Sequence, residues 1–79
     1  MSRHYRQISE NRVLVYGHDN TLGYWYELWD YDKDEEDGLI EEGDQGPFHH
    51  KSRNEILNVY KENKVPEHHI NSLIFNVPF

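Results

Sequence analysis

Residues 22–31 read LGYWYELWDY, from Leu22 to Tyr31, and two different folds follow from two readings of that stretch. Wound as a helix, Leu22, Trp25, Tyr26 and Trp29 share one face. Gly23, Glu27 and Asp30 then lie opposite, with Asp19 or Asn20 as the cap. Drawn as a strand, Tyr24, Tyr26 and Leu28 point one way and Trp25, Glu27 and Trp29 the other. The aromatic density and the glycine at the start favour the strand, because large flat side chains suit a pleated, half-buried surface.

The strand reading organises the chain on both sides. Upstream, RVLVYG (Arg12 to Gly17) is β-branched and aliphatic and reads as a second strand. Between the two, HDNTLG (His18 to Gly23) is a tight reversal, since Asp, Asn and Gly tolerate the backbone angles a turn requires. Downstream, LIEEG (Leu39 to Gly43) reads as a short third strand, and GDQGPFHH as a connection punctuated by Gly and Pro. SRNEILNVYKENK then carries a capping box, with Ser52 as the cap and Glu55 three residues on. Ile56, Leu57 and Tyr60 supply the buried stripe of that helix, with Val59 beside it, and Lys61 and Lys64 suit its C-terminal dipole. A shorter helix follows from Pro66 and Glu67 to about Ile74. Val77 and Phe79 are expected to fold back onto the core. Strands followed by helices predict an α+β domain: a small antiparallel hairpin or three-stranded meander over about 12–17, 24–31 and 39–43, with helices over about 53–63 and 66–74 on one face. Residues 1–11 read as a polar, flexible lead-in.

Seventy-nine residues make one domain with a modest core. Mean hydropathy is low at −1.02, but two Trp, six Tyr and three Phe argue for a folded, aromatic-rich interior. There is no cysteine, which removes disulfides and thiolate metal sites. No apolar run is long enough for a membrane span or resembles a signal peptide, so a cytoplasmic protein is expected. The net charge of −7 is concentrated: residues 27–46 hold ten acids against Lys33 alone, while the segments on either side are each slightly basic. That distribution disfavours direct contact with nucleic-acid phosphates and favours a basic partner or a cation.

The acidic run matches a calcium loop only in part. Asp30, Asp32 and Asp34 fall at the first, third and fifth positions and Glu41 at the twelfth, but Glu35 stands where a sharp turn needs Gly, and Asp37 where an apolar residue is usual. The histidine pairs His49–His50 and His68–His69 lack zinc-binding spacing and read as surface or helix-cap residues. Ser2, Ser9, Ser52 and Ser72 form no nucleophile motif, and no carboxylate pair is flagged as catalytic. We therefore expect no enzyme, no cofactor and no resident metal.

YGHDNTLGYWYELWD resembles a group of small uncharacterised bacterial proteins in which a Tyr-Gly-x-Asp turn leads to Leu, an aromatic run and an Asp. The positions that carry the resemblance are Tyr16, Gly17, Asp19, Leu22, Tyr24 to Tyr26, Trp29 and Asp30, with the later VPE segment at Val65 to Glu67. It implies a compact bacterial domain and brings no activity with it.

These features together lead to a small acidic module that docks on the basic surface of another protein. Asp30, Asp32, Asp34, Glu35, Glu36 and Asp37 would steer the encounter, and Trp25 or Trp29 would be buried by it. Its sharpest form is an inhibitor that imitates nucleic-acid charge and blocks a nucleic-acid-binding protein. The alternatives are weak divalent-cation binding by the acidic loop and a homodimer through the aromatic sheet face.

Overall fold

The segment Gly23–Asp30 is a strand, and its alternation is visible in what each side chain meets. Tyr24 and Tyr26 are buried, and Leu28 packs against the same core, whereas Trp25, Glu27 and Trp29 lie on the other side and stay partly exposed. The helical alternative would have put Tyr26 beside the two tryptophans. The computed structural model describes residues 2–31, 38–47 and 49–79. Among them the chain runs β1 (His4–Gln7), β2 (Arg12–Asp19), β3 (Gly23–Asp30), β4 (Leu39–Asp44), α1 (Arg53–Glu62) and α2 (Glu67–Ile74). The sheet is a four-stranded antiparallel meander in sequence order, and the class is α+β as expected.

The β2–β3 reversal closes where the turn residues lie. The Asp19 carboxylate accepts from the backbone N–H of Thr21 at 2.7 Å and of Leu22 at 3.2 Å. Gly23 takes φ +70°, a left-handed angle that costs a glycine little. The first strand corrects the lead-in expectation. His4–Gln7 pairs with Gln7 opposite Val13 and His4 opposite Tyr16, making a fourth, edge strand. At the opposite edge β4 carries a bulge: Leu28 faces Glu41, but Trp29 faces Leu39, so Ile40 is the extra residue.

Both helices pack on the face that carries Leu14, Tyr16, Tyr24 and Tyr26, burying Ile56, Tyr60, Val65 and Leu73 against them. Ser52 Oγ accepts from the Glu55 N–H at 3.2 Å, as the capping pattern requires. Each helix ends in a left-handed residue, Lys64 at φ 55° and Asn76 at φ 58°, after which Val65 N–H bonds back to the Tyr60 carbonyl and Val77 N–H to that of Ser72. Phe79 returns to the core as expected, while the Val77 side chain is exposed.

A core built on tyrosines must satisfy its hydroxyls, because a buried polar group without a partner costs about 1–3 kcal/mol. Tyr60, fully buried, donates to the Trp25 carbonyl at 2.9 Å. Tyr24 donates to the Val77 carbonyl at 2.8 Å, tying the C-terminal segment to β3. Tyr16 hydroxyl lies 2.7 Å from His69 Nδ1 on α2. Tyr26, buried beside Glu41, has its ionisation pushed up to about 12, first by burial and then by that carboxylate. Burial pushes the Tyr60 ionisation up further still. All four phenols stay neutral at ordinary pH and act as structural groups.

Candidate functional site: the outer face of the sheet

Register turns the outer face into a grid. One row across the strands is Tyr5, Val15, Glu27 and Glu42. On one side of it lies the row Gly17, Trp25 and Asp44, and on the other the row Gln7, Val13, Trp29 and Leu39. Val13 and Val15 are buried at the centre of this face. Among the described residues no helix covers it, since α1 and α2 both lie on the opposite side.

Glu27 and Glu42 stand directly opposite each other on β3 and β4. Like charges in that position repel, at a cost of roughly 0.2–1 kcal/mol. Each is compensated by a different group. Glu27 accepts from Trp29 Nε1 at 3.2 Å and lies 3.7 Å from Arg3 Nη2. Glu42 lies 2.8 Å from His49 Nε2, a contact that is ionic only when the imidazole is protonated. The guanidinium of Arg3 also sits over the Trp25 ring at 5.5 Å and the Tyr5 ring at 5.6 Å, within cation–π reach.

The N-terminal arm is placed for this. Ser2 N–H donates to the His18 carbonyl at 2.8 Å, and Ser2 Oγ accepts from the His18 N–H at 3.0 Å. The arm then passes over Gly17, where a Cβ would collide with the Ser2 carbonyl and crowd the Trp25 ring. Gly17 is therefore small for a reason that serves this face.

A cleft of about 390 Å³ opens between Trp25 and β4, lined among others by Leu22, Glu27, Glu42, Asp44 and His49. Its carboxylates are not equivalent. Asp44 is buried and accepts from the Gly46 N–H at 2.7 Å, holding the turn after β4. Asp19 holds the hairpin, and its two backbone N–H donors keep its carboxyl below the usual carboxylate range. Glu27 and Glu42 are the pair whose partners are side chains on the surface.

The expected docking residues divide sharply. Trp25 and Trp29 lie on the outer face, flanking the Glu27–Glu42 row. Asp30 follows Trp29 but points to the opposite side of the sheet. It is 9% exposed and pairs with Arg12 at 3.4 Å, so it is not the free steering charge expected of it. Asp32, Asp34, Glu35, Glu36 and Asp37 lie outside the described residues. The sequence reading missed Glu27, Glu42, Arg3 and Tyr5, because only the strand register and the Ser2–His18 contacts bring them together. It also missed His69, which is wedged against Tyr16, His4 and Phe79 rather than standing on the surface.

Among the described residues no group of three or more His, Cys, Asp or Glu is placed to hold a metal ion. No described helix is long and apolar enough to cross a membrane. Comparison with known protein families, with curated proteins and with solved structures finds no match, so the geometry of this face carries the functional reading.

Proposed function

We propose that this protein is a small acidic binding module that docks on a basic surface of another protein through the outer face of its sheet. One observation carries the reading. A sheet face that no described helix covers holds two directly opposed carboxylates, Glu27 and Glu42, between two partly exposed tryptophans. A fold selected for stability alone gains nothing from that pair. A partner's cation neutralises it, and the tryptophans supply the large amphipathic contacts that dominate binding energy. The charge of the 27–46 segment adds long-range steering.

The sharper form has a partner whose basic surface normally holds nucleic acid, with these acids standing in for phosphates. It is supported by the concentration of negative charge in the chain, and it predicts that the partner's nucleic acid competes for the same surface.

The docking role is tested with a short basic synthetic peptide, followed by tryptophan fluorescence at rising salt. Binding is expected to weaken about tenfold between low and moderate ionic strength. The double substitution Glu27→Gln with Glu42→Gln should weaken it further while the fold is retained. Binding that ignores both salt and the double substitution would refute the reading.

A further inference from the structure

The chain already seats one cation on this face, and the way it does so narrows what a partner must offer. The Arg3 guanidinium carbon lies 5.5 Å from the centre of the Trp25 ring and 5.6 Å from that of Tyr5, and its Nη2 lies 3.7 Å from Glu27. Its Nε donates to the Tyr5 hydroxyl at 2.9 Å. A lysine ammonium has no plane to stack and no fixed fork. Glu42, across the ladder, is paired among the described residues with His49, and no Lys or Arg of those residues forms an ion pair with it. A guanidinium carries enough donors in one plane to bridge two carboxylates. The cleft, about 390 Å³, falls within the range of small-ligand sites, roughly 300–1,000 Å³. Arg3 itself is weakly retained: its side chain is 52% exposed and its ion pair is open to solvent.

We propose that the cleft between Trp25 and β4 recognises an arginine side chain of the partner, and that Arg3 occupies part of that site in the free protein as a built-in competitor. The inference rests on the docking role and deepens it, naming the side chain recognised and the element that regulates access. The partner's arginine enters beside Leu22, stacks on Trp25 and bridges Glu27 and Glu42, and Arg3 swings out. The Ser2–His18 contacts keep the displaced arm near by, so the site refills when the partner leaves.

The test uses two short synthetic peptides, identical except that every basic residue is arginine in one and lysine in the other. Both are titrated into the full chain and into Arg3→Ala, Arg3→Gln and Arg6→Ala, with folding of each variant confirmed by circular dichroism. Arg6→Ala removes the same charge from the adjoining strand β1, and Arg6 does not line the cleft. The arginine peptide should bind the parent protein roughly two- to fivefold tighter than the lysine peptide, as one exposed cation–π contact allows. Arg3→Ala and Arg3→Gln should each tighten the arginine peptide by about threefold or more, because the site is no longer partly occupied. Arg6→Ala should have the smaller, purely electrostatic effect on both peptides. Equal binding of the two peptides, or an Arg3 effect no larger than that of Arg6, overturns this inference and leaves the docking role standing. Failure of both peptides to bind at low salt overturns the docking role and this inference with it.

Discussion

The two faces of one four-stranded sheet are built to different standards. On the helix face, four buried tyrosines meet Ile56, Leu73 and Leu14, and each phenol has a hydrogen-bonding partner across an element boundary. On the outer face, two tryptophans and two opposed glutamates are held by an exposed arginine and a histidine that only sometimes carries charge. The strands are the same strands, and the residues alternate one by one. The difference therefore lies in what each face packs against and not in the quality of the local sequence. One face is closed by its own helices, while no described helix covers the other, the face for which a docking role is proposed.

Four changes set the faces against each other, beginning with the largest effect. Leu14→Ala, in the fully buried centre of the helix face, should cost about 3 kcal/mol by urea denaturation. A loss below about 1 kcal/mol would mean that this core is less tightly packed than described. Tyr60→Phe keeps the ring and removes the bond to the Trp25 carbonyl, so a smaller loss of about 1 kcal/mol is expected in the same experiment.

The third lever is acid. His69 has its ionisation lowered from 6.5, first by burial and then by the neighbouring His4 and His68. The folded protein therefore holds this proton less well than the unfolded chain does. Its contribution to stability is complete above the unfolded value and is lost as pH falls through the folded one. The urea midpoint should drop on going from about pH 8 to about pH 5. His69→Gln, which retains a partner for the Tyr16 hydroxyl, should flatten that drop. An equally steep curve in the variant would place the acid sensitivity elsewhere.

The smallest change belongs to the outer face. Glu42→Gln should leave stability within about 0.5 kcal/mol of the parent, or raise it slightly, because it removes like-charge repulsion along with an exposed contact to His49. A loss comparable with Leu14→Ala would show that the outer face is as structural as the inner one.

Much of this contrast could be read in the sequence, for a physical reason. Aromatic alternation over Tyr24 to Trp29 fixes which side chains share a face, and the Ser52–Glu55 spacing marks the start of α1. Both signals are local. What escaped depends on distant partners. HYRQ has no apolar periodicity, and β1 exists because β2 offers it an open edge, with Tyr5 opposite Val15. Asp30 looks like the first residue of an acidic loop, but it ends β3 with Arg12 directly across the ladder. Glu27 and Glu42 are fifteen positions apart and meet only through the β3–β4 register. The opening stretch is a strand whose two sides meet different surroundings, with Trp29 and Asp30 sent to opposite faces.

The most direct test of the account is an NMR titration with a basic arginine peptide, read at the indole N–H groups of Trp25 and Trp29 and at the amides of α1 and α2. Both indoles should shift, together with the amides of Glu27 and Glu42, while the helices stay unchanged. Shifts concentrated in α1 and α2, with the indoles silent, would contradict it.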